Sequence, residues 1–439
     1  MTFNKKFLNF ATVRAGTTSA LFTLALLMSA CGAGTPAATD TAAIPPPIPL
    51  VNGTSLTAQN GTNVLRMSVS AGPDCVINYI NKPCVTITLC TAGTATCSTI
   101  NDVLLDTGSY GLRLFQAALG NAVPTQVVAP NGNNLAECIQ YGDGSKQWGP
   151  VKTAKLQMGG EPAIDNLPIQ VIDSTFAGTG LPPVCSGAVA TVAAGQFNGI
   201  LGVGLFDKDC GTSCVNGTSG QYFSCTGGSG VNGTCVGSVA PLVSQVRNPV
   251  AALSADTGGI IDNNGVVLEL PDLAFGGAVS TSGYVIFGIG TRANNTPSNT
   301  VAAYTADASY GEFKTTSAGH TYSSFIDSGS NSLSFPSTNT GLPICSNYPS
   351  WYCPTSNVTL SAVNTANSGG ATSTIGFQLE AFSTFWASPN YVAKEIGNAS
   401  GANIASMFDW GLPFFYGRNT YVAISGKSTT LGNGPYWAY

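Results

Sequence analysis

Two segments carry the residue types that acid–base chemistry requires, and they read alike: Val103-Leu104-Leu105-Asp106-Thr107-Gly108-Ser109 and Ser324-Phe325-Ile326-Asp327-Ser328-Gly329-Ser330. Each is an apolar strand end that delivers an aspartate into a turn of hydroxyl and glycine residues. Two carboxylates brought face to face cannot both ionise cheaply, so such a pair holds one proton over a wide pH range and can act as acid and base together. The natural reactant is water, deprotonated by one carboxylate while the other carboxyl donates to the group under attack. A third copy, Asp256-Thr257-Gly258, provides an internal control. It follows Ala251-Ala252-Leu253-Ser254-Ala255 and precedes Gly259, so it lacks the apolar strand and the trailing hydroxyl, and it is predicted to be a turn.

The elements that must position Asp106 and Asp327 are predicted to be strands. Short runs rich in Val, Ile, Thr and Tyr alternate with Gly, Asn and Ser turns, as in Val64-Leu65-Arg66-Met67-Ser68-Val69, Cys84-Val85-Thr86-Ile87-Thr88-Leu89 and Gly265-Val266-Val267-Leu268-Glu269-Leu270. Helical periodicity is confined to brief stretches near Leu114 to Leu119, Leu242 to Leu253 and Tyr391 to Ile396. The fold class is therefore all-β, mainly antiparallel. With 439 residues the chain exceeds the roughly 250 to 300 at which single cores stop growing, so two lobes are expected. The polar stretch Thr291 to Thr300 sets the boundary, giving an N-terminal lobe over 61–290 and a C-terminal lobe over 291–439. Within the first, residues 207–237 form a glycine- and cysteine-rich excursion that is long for a loop in a compact domain.

Charged residues make up 8% of the chain, against roughly 25% in an average soluble domain, and the net charge is -5 with no Lys/Arg run. A nucleic-acid partner needs a positive surface and is excluded on that ground. Residues 1–30 have the layout of a secretory signal, with Lys5, Lys6 and Arg14 ahead of an apolar stretch from Ala20 to Met28. Leu27-Met28-Ser29-Ala30-Cys31 resembles a bacterial lipobox, which would make Cys31 the lipid-bearing first residue of the mature chain; ordinary cleavage after Ala30 is the alternative. Gly32 in place of Asp would direct a lipoprotein to the outer membrane of the bacterial cell envelope. Residues 31–60 are rich in Ala, Thr and Pro and form a tether. Of 13 cysteines, removal of Cys31 leaves an even set, as expected for disulfides in an exported protein. Cys75/Cys84, Cys90/Cys97 and Cys345/Cys353 are plausible pairs, although spacing does not fix connectivity. Zinc at Cys210, Cys214, Cys225 and Cys235 is the competing possibility and is set aside for an oxidising compartment.

The chain is similar to the pepsin-type aspartic peptidases, in which two related β lobes each contribute one catalytic aspartate, and it resembles a bacterial lipoprotein member of that superfamily with no assigned role. The likeness extends beyond the paired motifs. Tyr141-Gly142-Asp143-Gly144-Ser145 resembles the flap that folds over substrate, Phe197-Asn198-Gly199-Ile200-Leu201-Gly202 resembles the apolar segment that passes beside the first aspartate, and Phe408-Asp409-Trp410-Gly411-Leu412-Pro413 is a looser counterpart in the second lobe. Together they cover most of residues 61 to 439. Departures are Arg113, where many pepsins have a flap-supporting Trp, and Gly111 in place of a usual Asn. The resemblance implies a two-lobed acid-protease fold with a central cleft, an Asp106/Asp327 catalytic dyad, and endopeptidase activity on extended polypeptides. It further implies that Thr107 and Ser328 brace the two loops, that Ser109 and Ser330 bond the outer carboxylate oxygens, that Gly108 and Gly329 permit the turns and keep side chains out of the substrate's path, and that Tyr141 closes over the peptide. No cofactor or metal is needed, and a monomer is expected. The only histidine, His320, lies in a turn-like setting, and no G-x-S-x-G elbow is present. Trp148 and Trp410 are assigned to packing. The competing function is a non-catalytic cell-envelope binding lipoprotein that uses the cleft for recognition alone.

Overall fold

The computed structural model describes residues 60–399 and 407–439. The secretory signal, Cys31 and all of the tether except Asn60 lie outside the described residues. The described chain is mainly β, with helices of six residues or fewer. Strands form where β-branched and aromatic residues alternate with small polar ones. In Val64–Val69, for example, Leu65, Met67 and Val69 are buried while Arg66 faces out.

One sheet has 16 strands and a second has seven. Part of the large sheet closes on itself: Pro83–Cys90, Cys97–Asp106, Gly199–Val203, Tyr110–Phe115, Ile164–Ile172 and Lys146–Gln157 pair in succession, and the last pairs again with the first. The sheet continues from Pro83–Cys90 through Val64–Val69, Thr281–Phe287 and Gly265–Leu270 to strands near the C-terminus, Arg418–Ala423 and Tyr436–Ala438. The second sheet holds Thr372–Leu379, Val358–Thr365, Phe313–Ser317, His320–Ile326, Met407–Trp410, Leu333–Ser334 and Gly397–Asn398 in that order.

Around the two aspartates one topology occurs twice. Cys97–Asp106 runs parallel to Gly199–Val203, which is antiparallel to Tyr110–Phe115, which is parallel to Ile164–Ile172. Likewise His320–Ile326 runs parallel to Met407–Trp410, which is antiparallel to Leu333–Ser334, which is parallel to Gly397–Asn398. A single apolar cluster contains both residues that precede the aspartates, Leu105 and Ile326, each with no exposed surface. Full burial of such a side chain contributes roughly 1.5–3 kcal/mol, which anchors each loop at its root.

The expected helices require correction. Leu114 and Phe115 finish a strand, and only Gln116–Ala118 coil, as a single 3-10 turn. Pro249 divides Leu242 to Leu253 into two short turns, Leu242–Ser244 and Val250–Ala252. Tyr391 to Ile396 is not helical because its backbone is claimed from outside: Asn81 N–H donates to Tyr391 O, Val392 bridges Ala278, and Ala393 N–H donates to Asn81 Oδ1. A helix does form at Phe382–Ala387, where Phe382, Phe385 and Trp386 supply an i, i+3, i+4 apolar pattern.

Candidate active site

Asp106 closes its strand and Asp327 follows Ile326 directly, so both carboxylates emerge at strand ends over buried apolar residues. The two loops hold each other by reciprocal hydrogen bonds. Thr107 Oγ1 donates to Ile326 O at 2.8 Å and accepts from Ser328 N–H at 2.9 Å. Ser328 Oγ donates to Leu105 O at 2.8 Å and accepts from Thr107 N–H at 3.1 Å. Both hydroxyl residues are buried, so these four bonds form where water does not compete.

Each carboxylate is held in its own turn in the same way. Gly108 N–H donates to Asp106 Oδ1 at 2.8 Å and Ser109 Oγ donates to Oδ2 at 2.5 Å. Gly329 N–H donates to Asp327 Oδ1 at 2.7 Å and Ser330 Oγ donates to Oδ2 at 2.8 Å. Each glycine also faces the opposite carboxylate. A Cβ on Gly108 would lie 2.6 Å from Asp327 Cγ, and one on Gly329 would lie 2.7 Å from Asp106 Oδ1. Glycine is required at both positions because the partner aspartate fills the space a side chain would take. Burial, together with the neighbouring Asp327 carboxylate, pushes Asp106 well above the usual carboxylate range, against the opposing effect of its Ser109 and Gly108 bonds. Each carboxyl group thus lies against the opposite turn and close to its partner.

Residues 141–145 form the tip of a hairpin between Asn134–Gln140 and Lys146–Gln157. Tyr141 N–H donates to Ser145 O and Gly144 N–H to Tyr141 O, both at 2.9 Å. Gly144 takes a φ of 86°, which the tight turn requires. Gly142 and Asp143 are exposed, and Asp143 Oδ1 accepts from the Ser145 N–H and Oγ–H, which fixes the tip. The Tyr141 ring packs against a cluster of Leu104, Phe115, Ile172, Phe197 and Ile200, next to Asp106 in the chain and in space. Its hydroxyl donates to Gln147 Oε1 at 2.9 Å, and burial raises its pKa so that it remains a neutral donor.

Several residues around this hairpin were not singled out from sequence as members of the site. Arg113, the departure noted above, is buried and pairs with Glu137 at 2.9 Å and Asp209 at 2.8 Å. Burial opposes ionisation of Glu137, but Arg113 and bonds from Asp209 and Gln221 outweigh it and hold that carboxyl below the usual range. Burial and the Glu137 charge push Asp209 well above that range, against the opposing effect of Arg113 and the Tyr222 hydroxyl. Glu137 lies on the hairpin's outer strand and Asp209 in the cysteine-rich excursion, whose strand Tyr222–Cys225 extends the hairpin sheet. Cys138–Cys185 ties the same outer strand to a neighbouring turn, while Cys210–Cys214 and Cys225–Cys235 close loops inside the excursion. With those four sulfurs bonded to one another, the zinc alternative has no ligands there. Cys75–Cys84, Cys90–Cys97 and Cys345–Cys353 are also joined. The one group of metal-ligand types that converges among the described residues, Cys75, Cys84 and Asp102, has both sulfurs in that first disulfide.

His320 is exposed at a hairpin tip opposite Ser317. Trp148 and Trp410 are buried, with indole N–H groups donating to Phe176 O and Thr315 Oγ1. Asp256 bonds the N–H groups of Gly258 and Ile260 and pairs with Arg292 at 2.6 Å, as a turn-capping residue does. No helix among the described residues is long and apolar enough to cross a membrane.

No curated protein matches the chain. A family model described as a protein of unknown function (DUF3443) matches residues 59–439, and the chain therefore belongs to the DUF3443 family.

Proposed function

We propose that this protein is an aspartic endopeptidase of the two-lobed pepsin type, hydrolysing peptide bonds in extended polypeptides on an Asp106/Asp327 dyad. The observation that carries this is the reciprocal bonding of Thr107 and Ser328, which holds two equivalent aspartate turns face to face with their carboxyl groups in mutual reach. An arrangement that only capped two turns would not need glycines kept bare for the opposite carboxylate. The repeated strand topology around the two aspartates supports the two-lobed fold.

In the reaction, the ionised carboxylate takes a proton from water as its oxygen bonds to the scissile carbonyl carbon. The protonated carboxyl donates to the carbonyl oxygen, giving a neutral tetrahedral diol. The carboxyl that gained the proton from water then passes it to the leaving nitrogen, one diol hydroxyl gives its proton to the other carboxylate, and the carbon–nitrogen bond breaks to leave a carboxylic acid and an amine. No covalent bond to the enzyme forms. The hairpin tip with Tyr141 acts as the flap that covers the peptide, and Gln147 orients its phenol. We place the protein in the bacterial cell envelope, lipid-anchored at Cys31 and acting as a monomer.

The test is incubation of a denatured protein with the purified chain from pH 3 to 7, in water enriched in oxygen-18, with and without a statine-containing transition-state mimic. The expected result is limited cleavage on the acid side, one heavy oxygen in each new carboxylate, and loss of cleavage with the inhibitor. A folded preparation that does not cleave, or that cleaves regardless of inhibitor, would favour the binding lipoprotein instead.

A further inference from the structure

The repeated topology aligns the two halves residue by residue and exposes one substitution at the site. Leu104 pairs with Ile200 beside Asp106, and Phe325 pairs with Asp409 beside Asp327. Across the next strand, Arg113 faces Ile200 and Ser334 faces Asp409. Asp409 therefore stands where Ile200 stands in the first half. Ile200 belongs to the apolar cluster under Tyr141, on the Asp106 side. Phe408 and Trp410, flanking Asp409, stack on each other within the aromatic core, so the Asp409 side chain points to the opposite face of the strand.

Asp409 is 6% exposed, and among the described residues its Oδ1 has no hydrogen-bond partner. It lies near enough to the dyad to feel the Asp327 and Asp106 charges, and the Ser330 hydroxyl that serves Asp327 is also within its reach. A hydroxyl has one hydrogen, and Ser330 gives it to Asp327 at 2.8 Å. A buried carboxyl oxygen left without a donor is costly, and at a proposed substrate cleft it marks the place where a donor arrives from outside.

We propose that Asp409 is the specificity-determining residue of the cleft and receives a cationic side chain, Lys or Arg, of the polypeptide next to the scissile bond on the Asp327 side. The inference rests on the peptidase chemistry above. In the free protein, burial and the Asp327 charge push this carboxyl well above the usual range. An incoming ammonium or guanidinium supplies the missing donor and favours the charged form. The site thus pairs an apolar pocket beside Asp106 with an acidic one beside Asp327, and its substrates are polypeptides carrying an apolar residue and a basic residue across the cleaved bond.

The test is calorimetric binding of three peptides with a non-cleavable hydroxyethylene group at the scissile position, flanked by norleucine on both sides, by lysine then norleucine, or by norleucine then lysine. The wild-type protein is expected to bind one lysine peptide roughly 10- to 100-fold more tightly than the all-norleucine peptide, the range of a charge-assisted bond. Asp409→Asn is expected to abolish that preference, and Asp409→Ile to reverse it, with thermal unfolding confirming that both variants fold. Equal affinity of the wild type for all three peptides, or a lysine preference that persists in Asp409→Asn, would overturn the role of Asp409 alone. Failure of the folded wild type to bind any of the three would overturn the peptidase chemistry and this inference with it.

Discussion

The regions around Asp106 and Asp327 share one strand topology and one hydrogen-bond scheme, but they differ in what surrounds it. Beside Asp106, a hairpin reaches over an apolar cluster and is braced by a buried Arg113–Glu137–Asp209 group and by the disulfide-stapled excursion. Beside Asp327 the positions corresponding to Arg113 and Ile200 are Ser334 and Asp409, and the core is a stack of Phe335, Phe408, Trp410 and Tyr352. The difference separates two tasks. On the proposed function, what is identical in the two halves would serve the shared proton and what differs would serve the polypeptide, one side covering it and the other presenting a carboxyl to it.

This contrast can be broken by substitution. The largest effect on stability is expected at Arg113, because Arg113→Met strands the buried Glu137 carboxylate; urea unfolding should show a loss of about 3–5 kcal/mol. Its counterpart Ser334 has one neutral hydroxyl contact, to Ser332 at 3.3 Å, and Ser334→Ala should cost about 1 kcal/mol. Equal losses at the two positions would show that the brace is not special to the Asp106 side. Next in size, Gly108→Ala and Gly329→Ala each force a methyl group into the opposite carboxylate, and the displacement should lower kcat about 100-fold in both. Thr107→Ala and Ser328→Ala each remove one donor and one acceptor from the reciprocal bonds. Each should lower stability by about 1–3 kcal/mol, and the two losses should match if the grip is symmetric.

The smallest effect is a pH trend set by two buried carboxyls outside the dyad. Burial raises Glu161, near Asp262, to about 7 and Glu395, near Gly397, to about 7. Because these folded-state values lie above the unfolded value of 4.5, the stability they support is fully present below pH 4.5 and is lost as pH rises to 7 and beyond. Thermal scans should show Tm falling by a few degrees over that window, and Glu161→Gln should flatten its share. A Tm that climbs between pH 4.5 and 7 would contradict the assigned direction.

Much of the site was legible because its chemistry is local in sequence. Leu105-Asp106-Thr107-Gly108-Ser109 and its second copy specify strand end, carboxylate, hydroxyl and bare turn within five residues, and Asp256 lacked that context and indeed caps a turn. Tyr141 to Ser145 read as a hairpin tip through their likeness to the pepsin flap, and the structure supplies the physical reason in Gly144 and Asp143, which meet the needs of a tight turn. Contacts distant in sequence were not legible. Arg113 shows only as an odd residue in an apolar strand until Glu137 and Asp209 fold onto it, and the Cys138–Cys185 bridge spans 47 residues. The excursion's pairing with the hairpin depends on non-local strand addition, which spacing does not encode. In the sequence Asp409 lies in a segment with only a loose likeness to its first-half counterpart, and the register that aligns it with Ile200 appears only on folding.

The central claim is that Asp106 and Asp327 act as one unit on water. The most direct measurement compares cleavage of a single unfolded polypeptide, at the acid pH where the wild type is most active, by wild type, Asp106→Asn and Asp327→Asn of verified fold. The account predicts that either substitution alone reduces kcat by at least about 1,000-fold and that the double variant is no worse than the singles. Substantial cleavage by either single variant would contradict it.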